Sequence, residues 1–218
     1  MSSIYNKAIV LAALKHLIGE RNTSVIDTYV HDSYIQHSPM VKDGKAGLLE
    51  ALEQLKQYPA PASAKSPVVR TIADGKYVML HMDVAFMGKN VAVVDLYRLE
   101  NGKLAEHWDA TQENAVTEGA AEIRDLHLTA SNKAIIAQYF RQPDKALLQP
   151  GYQSHSPLPS QDVEVHRIIG EGNFVMVQSS TAAAVYYDIF RLENSLLAEH
   201  WQVTQVIPAT IPHNNGMI

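Results

Sequence analysis

Apolar residues recur at helical spacing at the start of the chain and at alternate positions after Pro67. A first helix is expected to begin at Ser2 or Ser3, which can cap it, and to end at Gly19. Its expected buried face carries Ile4, Ala8, Leu11 and Ile18. A shorter helix should follow Ser24, with inward-facing Val25, Ile26, Tyr29 and Val30. A third should run from Asp43-Gly44 to just before Pro59 and bury Leu48, Leu52 and Leu55.

The alternating part of the chain predicts a sheet. Four strands are expected, at Val68–Ile72, Tyr77–Phe86, Val91–Leu99 and Leu104–Gln112. Turn residues separate them, at Asp74-Gly75, Gly88-Lys89-Asn90 and Asn101-Gly102. Asn-Gly between two apolar runs is a strong hairpin signal. Helices followed by an antiparallel sheet predict an α+β fold, with the helices packed on one face of the sheet.

The chain also repeats itself. Residues 97–112 return as residues 190–205 with eleven of sixteen positions identical, and both tryptophans lie inside this repeat. We therefore expect a complete domain at residues 1–117, a helical linker at 118–130 and a shortened second copy at 131–218. The second copy lacks a counterpart of the third helix, and the two copies should form an internal pseudo-dimer through their sheets.

The conspicuous chemical difference between the two repeats is Asp109, whose counterpart is Gln202. A carboxyl group can carry a proton to and from a substrate, whereas an amide cannot. This difference makes Asp109 the first candidate for chemistry.

Composition narrows the possible functions. The 218 residues are 46% hydrophobic and 19% charged, which is ordinary for a globular protein with a substantial core. A net charge of −5 with 18 scattered Lys and Arg residues argues against nucleic acid as a partner. The absence of cysteine excludes disulfides and thiolate catalysis. No segment suggests a membrane span, so we expect a cytoplasmic protein without a membrane partner. The ten histidines lack the spacing of metal motifs, and no metal is expected.

The last hairpin of the first copy determines which side chains share a face. With Asn101-Gly102 as its turn and a regular ladder, Asp95 lies opposite Trp108. One face then carries Asp95, Tyr97, Leu99, Leu104, Glu106, Trp108 and Gln112, and the other carries Val94, Leu96, Arg98, Ala105, His107 and Asp109. The two acids would lie on opposite faces, so that only one of them reaches a substrate. A bulge near Trp108 would shift this register by one residue.

Two motifs resemble a known family. One is Tyr-x-x-His-x-Pro at residues 34–39, and the other is Asp-x-Tyr-Arg-x-x-Asn-Gly-Lys-x-x-Glu-His-Trp-Asp at residues 95–109. Together they resemble the SnoaL-like group of the NTF2-like superfamily, above all its predicted aldol-condensation-catalysing, polyketide-cyclase-like proteins. The resemblance covers residues 1 to about 117 well and residues 131–218 as a degraded copy. It implies a curved antiparallel sheet wrapped round helices into a cone with an apolar pocket, and no cofactor.

The resemblance implies an acid–base enzyme that acts on a small, largely apolar carbonyl compound. The candidate catalytic residues are Asp109, His37, Asp95 and His107, and the candidate substrate-binding residues are Tyr34, Trp108, Gln112 and Tyr97. Asp109 or Asp95 with His37 would remove a proton next to the carbonyl, and Tyr34 or His107 would stabilise the enolate. A non-catalytic protein that binds a small molecule and a protein-interaction module are the alternatives. The whole chain could be a monomer or a further homodimer.

Each candidate also has a structural alternative. His37 could hold its loop through a backbone hydrogen bond, and His107 could belong to a contact between sheets. Asp109 could pair with Arg98. Asp95 could accept a hydrogen bond from a buried Trp indole.

Overall fold

Two five-stranded sheets with a small number of helices form the described part of the chain. The structure is a computed structural model that describes residues 2–58, 66–86, 88–159 and 162–218, with the backbone alone at Phe86. The architecture is α+β, which confirms the predicted fold class, and the two sheet units fit a duplicated domain.

The first sheet unit contains three helices and five strands. Its helices are α1 (Ser3–Ala13), which continues as a wider π-helical turn at Leu14–Gly19, α2 (Ile26–Tyr29), which follows a 3-10 turn at Thr23–Val25, and α3 (Gly44–Leu55). Its strands are β1 (Val30–Gln36), β2 (Val68–Asp74), β3 (Tyr77–Phe86), β4 (Lys89–Glu100) and β5 (Lys103–Glu113). They lie in the order β1-β5-β4-β3-β2, with β1 parallel to β5 and the other pairs antiparallel.

The second sheet unit repeats this order with fewer helices. A 3-10 turn at Leu126–Leu128 leads into α4 (Thr129–Arg141), and another lies at Lys145–Leu147. The strands are β6 (Leu148–Ser154), β7 (Glu164–Glu171), β8 (Phe174–Ser180), β9 (Ala184–Glu193) and β10 (Leu196–Val206), in the order β6-β10-β9-β8-β7. The described residues between β6 and β7 contain no helix. Residues 118–125 are irregular, so the expectation of a helical linker is wrong for them.

The four strands expected between residues 68 and 112 are present, and β1 is an addition to them. Val30 was expected at the end of a helix but begins β1, and His37 directly follows this strand. β1 pairs with β5, more than sixty residues further along the chain. Local spacing does not reveal such a parallel pairing, because parallel strands have no connecting turn to mark them.

Helix α1 buries a different face from the one expected. Its buried residues are Asn6, Val10 and Ala13, and Leu17 continues this face into the π-helical turn. Ile4, Leu11 and Ile18 are instead 75%, 37% and 41% exposed. The Asn6 side chain donates a hydrogen bond to the Gly75 carbonyl, 2.9 Å away in the β2–β3 turn. This bond and the apolar residues that follow Asn6 turn its face of the helix toward the sheet.

A one-residue bulge in β5 changes the expected register. Leu99 pairs with Leu104 as expected, but Arg98 pairs with Glu106, so Ala105 is the extra residue. Asp95 therefore lies opposite Asp109, and the expected pairing of Asp95 with Trp108 is wrong. Because side chains alternate between faces, the bulge moves every later residue of β5 to the other side of the sheet. The same bulge occurs in β10, between Leu197 and Glu199.

The two sheets pack against each other through one face each. Their shared core contains both tryptophans, together with Ile72, Met79, Val94, Leu96, Ala110, Ile169, Met176, Tyr187, Ile189 and Val203. The opposite face of the first sheet packs on α1, its π-helical extension and α3, through residues such as Val78, Leu80, Leu99 and Leu104.

Polar contacts between the sheets occur in matched pairs. Lys7 binds Glu171 at 2.7 Å, and the counterpart Lys133 binds Asp74. The Arg70 guanidinium lies 3.7 Å from the ring centre of Trp201, and Arg167 lies 4.1 Å from that of Trp108.

Main-chain contacts are matched as well. The side-chain oxygen Oε1 of Gln205 accepts from the Thr111 main-chain N–H at 3.2 Å, and Oε1 of Gln112 accepts from the Thr204 main-chain N–H at 2.8 Å. Each sheet thus offers a glutamine side chain to a threonine main chain of the other sheet.

One buried histidine in this interface predicts an acid-sensitive fold. Arg70 donates a hydrogen bond to His81 Nδ1 at 3.1 Å, and burial, followed by the Arg70 charge, lowers the pKa of His81 to about 3. The unfolded chain takes up this proton near pH 6.5, so the folded state loses stability as pH falls below that value. We expect the free energy of unfolding to drop by about 2 kcal/mol through His81 between pH 7.5 and 5.

His81→Gln should remove this loss. The second sheet already has Gln178 at the corresponding position, where its carbonyl oxygen accepts from Arg167. Urea unfolding at pH 7.5 and pH 5 measures the effect, with the exposed His127→Gln as the control. An equal loss of stability in wild type and His81→Gln at pH 5 would contradict the assignment.

Candidate active site

Two acids face each other on neighbouring strands. Asp95 of β4 and Asp109 of β5 are directly opposite, which places their Cβ atoms about 5 Å apart. The same alternation puts Tyr97 and His107 on this face, since they are also cross-strand partners. The face is the one that packs on the helices, because Leu80, the β3 partner of Asp95, belongs to the helix-side core.

His107 is held between a strand and the loop that follows β1. Its Nε2 lies 3.2 Å from Asp95 Oδ1, its Nδ1 lies 3.0 Å from Gln36 Oε1, and its ring stacks on Tyr97 at 4.5 Å. Gln36 Oε1 also accepts the N–H groups of His37 and Ser38, which makes it an acceptor toward His107 as well. His107 Nδ1 therefore donates to Gln36, and the remaining proton is shared with Asp95.

Burial works to lower the pKa of His107, but the hydrogen bond and charge of Asp95 outweigh it, and the pKa rises above its ordinary value. Tyr97 donates its hydroxyl proton to Asp95 Oδ2 at 3.3 Å. Burial, and then the charge of Asp95, raise the pKa of both Tyr97 and Tyr34 well above the usual range. Both phenols therefore stay neutral and can act only as hydrogen-bond donors or acceptors at ordinary pH.

Asp109 has fewer donors than Asp95. Ser38 donates its hydroxyl to Asp109 Oδ2 at 2.9 Å, whereas Oδ1 is buried without a hydrogen-bond partner among the described residues. Burial raises the pKa of Asp109, and the charge of Asp95 adds to this, against the lowering effects of His107 and Ser38. Two carboxyl groups in such different surroundings are a pattern of acid–base sites.

Three candidates lie on the opposite face, between the sheets. His37 stacks on Trp108 with ring centres 4.8 Å apart, and its Nε2 is 2.9 Å from Glu106 Oε1. Its Nδ1 faces the Gly216 carbonyl at 3.1 Å. Trp108 is fully buried in the shared core, and Gln112 binds the main chain of β10. The structure therefore does not bring His37, Trp108 or Gln112 to the two acids.

The structure also decides between the alternatives for the acids. Arg98 binds Glu106 at 2.6 Å and Glu100 at 3.0 Å, so it is not the partner of Asp109. Asp95 binds His107 and Tyr97 and not an indole. His107 faces the helices and lies outside the contact between the sheets.

Gln36 and Ser38 bind His107 and Asp109 and are candidate site residues that the sequence analysis missed. They flank His37, on which attention falls because histidine is the familiar acid–base residue. The repeat offered a signal for Gln36, because the two copies differ there. Gln36 pairs with His107 of β5, and Ser154 pairs in the same way with the corresponding His200 of β10. A side chain that differs between the copies next to a shared histidine marks a change in the site.

The second sheet unit keeps the His–Asp pair but closes it differently. His200 Nε2 lies 2.8 Å from Asp188 Oδ1, and Gln202 donates its amide to the same oxygen at 2.8 Å. Phe190 takes the place of Tyr97 and stacks on His200 at 4.6 Å. This unit therefore lacks both the second acid and the phenol donor.

The candidate cluster is enclosed. Tyr34, Asp95 and His107 are all less than a tenth exposed. Among the described residues, a cavity of about 100 Å³ beside Asn6 and one of about 430 Å³ beside Ala120 open at the surface, and neither is lined by a candidate residue. The apolar pocket expected between sheet and helices stays a prediction.

The described segments contain neither a membrane-spanning helix nor a cluster of metal-binding side chains. None of their helices has the length and apolar character needed to cross a bilayer. Nor do they bring together three or more His, Asp or Glu side chains that could hold a metal ion.

Comparisons with known proteins concern about half of the chain. A solved structure of TsrD from Streptomyces laurentii is 15% identical, with a TM-score of 0.40 over 51% of this chain and 91% of its own. An NTF2-like protein of unknown function from Cytophaga hutchinsonii is 20% identical, with a TM-score of 0.41 over 49% of this chain and 89% of its own. An NTF2-like protein of unknown function from Burkholderia xenovorans is 16% identical, with a TM-score of 0.42 over 56% of this chain and 98% of its own. No curated protein matches the chain.

The family comparison is the informative one. The model of the SnoaL-like polyketide cyclase family matches residues 8–118, which include β1, the loop at residues 36–38 and the hairpin with both acids. Membership in this family supports a cyclase- or isomerase-type function in general. Because the match spans just over half of the 218 residues, the chain belongs to the SnoaL-like polyketide cyclase family.

Proposed function

We propose that the chain is an acid–base enzyme that removes a proton next to the carbonyl group of a small, largely apolar compound. The observation that carries this proposal is the pair of opposed acids: Asp95 holds two donors, while Asp109 has a buried, unpartnered oxygen. A raised pKa makes the Asp109 carboxylate a stronger base than an ordinary aspartate. The apolar residues around the cluster suit an apolar substrate.

In the proposed reaction, Asp109 Oδ1 takes the proton from the carbon next to the carbonyl. The electron pair of the broken C–H bond moves toward the carbonyl oxygen and gives an enolate. Tyr34 is the best-placed donor for this oxygen, because Gln36 donates to its hydroxyl at 3.3 Å and so leaves the phenol proton free. His107 is less suited, since both of its ring nitrogens already face acceptors.

The enolate can then take either of two routes. It can recover the proton from Asp109 at another position, which is an isomerisation. Alternatively, its carbon can attack a second carbonyl and form a carbon–carbon bond, while the π electrons of that carbonyl move to its oxygen and the resulting alkoxide takes the proton back from Asp109. Both routes leave the enzyme unchanged and need only the residues described.

We also propose that the two sheet units are copies of one domain that form an internal pseudo-dimer. The reciprocal contacts of Lys7 with Glu171 and of Lys133 with Asp74 support this, as do the matched Arg–Trp contacts. In this arrangement the second unit supplies a permanent cover for the inner face of the first sheet.

A protein-interaction module is the second candidate, favoured by an exposed apolar stripe on α1. Ile4 and Leu11, with Ile18 one turn beyond the helix, follow one another on its outer face and are all more than a third exposed. Such a stripe is a feature of docking surfaces. This candidate predicts binding of a protein and no turnover of carbonyl compounds.

Hydrogen–deuterium exchange tests the enzymatic proposal. Small apolar ketones and β-dicarbonyl compounds are first screened for binding by ligand-observed NMR, and the binders are then incubated with the protein in D₂O. We expect catalysed loss of the ¹H signal next to the carbonyl for at least one binder. Binding without exchange for every compound would contradict the enzymatic proposal and favour a non-catalytic binding protein.

A further inference from the structure

The last residues of the chain leave the second sheet and return to the first one. Asn215 donates its side-chain amide to the Gln36 carbonyl at 2.9 Å, and His213 Nε2 lies 2.8 Å from the Ser38 carbonyl. The Gly216 carbonyl faces His37 Nδ1, and the Met217 side chain is buried in the core between the sheets. Residues 213–217, which we call the C-terminal segment, thus bind the last residue of β1, Gln36, and the next two residues, His37 and Ser38.

The same loop holds the two acid–base residues from its other side. Gln36 accepts from His107 Nδ1 at 3.0 Å, and the Ser38 hydroxyl donates to Asp109 at 2.9 Å. The C-terminal segment therefore binds the main chain of Gln36 and Ser38, while their side chains hold His107 and Asp109.

An anionic residue connects the two layers. Asp43 Oδ1 accepts the Gln36 N–H at 3.0 Å. Burial works to raise the pKa of Asp43, but hydrogen bonds from Gln36, Gly44 and Asn215 and the charge of His213 lower it below its ordinary value. Asp43 thus stays charged and binds both the loop and the C-terminal segment.

The described residues of the second sheet unit form no equivalent of this arrangement. The segment that crosses toward it accepts the Trp201 indole N–H at the Glu118 carbonyl, 2.8 Å away. Ser154, at the position of Gln36, donates to the Ser156 carbonyl, and His200 Nδ1 has no partner among the described residues. The hydrogen bonds that hold the β5 histidine are therefore complete in the unit that carries Asp109, whereas those of the corresponding histidine are incomplete in the unit that carries Gln202.

We propose that His213 and Asn215 are positioning residues of the active site, so that the C-terminal segment from the second half completes the catalytic centre of the first. This inference rests on the function proposed above for the Asp95–Asp109 site. The residues act through Gln36 and Ser38, which in turn set the hydrogen bonds of His107 and Asp109.

The side-chain ¹³C resonance of the Asp109 carboxyl reports on this arrangement without any substrate. The charged groups that shift the pKa of Asp109 are His107 on β5 and Asp95 on β4. The neutral phenols of Tyr34, Tyr97 and Tyr187 are near enough for the charge of Asp109 to raise their pKa values. None of them is altered by substitutions in the C-terminal segment. A change in the Asp109 titration would therefore come from the displaced Ser38 hydroxyl.

The test compares His213→Ala with Ser38→Ala and with the double variant. Ser38→Ala removes a donor to the charged carboxylate, so the titration midpoint of Asp109 should move to higher pH. His213→Ala should move it in the same direction, and the double variant should move it no further than Ser38→Ala does. We expect kcat to fall about tenfold or more in His213→Ala with KM little changed, since the displaced Ser38 hydroxyl orients Asp109, which acts in the chemical step.

Two further variants separate positioning from general loss of structure. His213→Gln retains an N–H donor for the Ser38 carbonyl and should restore the wild-type titration, and the exposed neighbour Asn214→Ala should leave it unchanged. A wild-type midpoint in His213→Ala, beside a shifted midpoint in Ser38→Ala, would overturn the inference. If wild type shows no turnover, the proposed function fails, while the titration still decides whether the C-terminal segment positions Ser38.

Discussion

Replacing Asp109 by asparagine is expected to lower kcat/KM for proton exchange by at least about a hundredfold, the usual contribution of a general acid–base group. The substitution keeps the size of the side chain and removes its ability to carry a proton. The second sheet unit makes a similar replacement at Gln202, where the amide donates to Asp188 at 2.8 Å. The second sheet unit therefore shows that an amide fits opposite an aspartate at the position that corresponds to Asp109.

The fold should tolerate Asp109→Asn and gain stability at neutral pH. The pKa of Asp109 is raised in the folded state, so the folded protein loses stability as pH rises from the ordinary value of 3.8 through the raised pKa. Asparagine has no such loss, and the variant should melt at a higher temperature than wild type at pH 7 and closer to it below pH 4. Lower activity together with higher stability is typical of a functional residue.

The controls follow from the observed register. Asp83→Asn removes an exposed carboxylate from the same sheet and should change neither activity nor melting temperature. Asp95→Asn is not a neutral control, because Asp95 and Asp109 share a face, and it should lower activity as well. Undiminished exchange by Asp109→Asn would remove this residue from the mechanism.

Replacing Gly172 by alanine should destabilise the protein by more than about 3 kcal/mol, whereas the equivalent Gly75→Ala should cost about 1 kcal/mol. Both glycines have a positive φ, +60° at Gly172 and +58° at Gly75. Any other L-residue is strained in that conformation, so both substitutions share this cost.

Only Gly172 adds a steric conflict. A Cβ atom there would lie 1.9 Å from the Arg124 carbonyl oxygen, whereas a Cβ atom at Gly75 would meet nothing within 4 Å. The Arg124 carbonyl also accepts the Asn173 N–H at 2.9 Å, so moving it breaks a hydrogen bond between the linker and the second sheet.

Urea unfolding of the two variants measures this difference directly. Because the turns have the same φ and follow equivalent strands, the gap between the two free energies of unfolding reports the contact with the linker. Equal losses in Gly75→Ala and Gly172→Ala would show that the linker does not pack on the second sheet as described.

Much of the fold was predictable because its signals are local. The Asn101-Gly102 turn, with φ of 51° and 77°, joins β4 and β5 where it was expected. The strand at Tyr77–Phe86 has the predicted bounds, and α3 begins beside Asp43. β1 was missed because its pairing partner is distant in the chain, and the buried face of α1 was misjudged because a buried asparagine does not look like a core residue.

Of the candidate site, the hairpin residues were predictable, whereas Gln36, Ser38 and the grouping of the side chains were not. Asp95, Tyr97, His107 and Asp109 were all identified from the hairpin motif and its imperfect repeat. The regular ladder expected from the sequence placed Asp95 and Asp109 on opposite faces, so that His37 could act with either acid. In the structure, the bulge at Ala105 brings the two acids to one face. His37 then lies on the other face, against Trp108.

The sequence by itself determined the α+β class, the hairpin turns, most of the candidate acid–base residues and the chemical difference between Asp109 and Gln202. These features depend on residue type and on spacing over a few positions. The tertiary structure alone decided which side chains meet, since one extra residue in a strand exchanges its two faces. It alone also brought the C-terminal segment to Gln36 and Ser38, because contacts across about 175 residues leave no periodic signal in the chain.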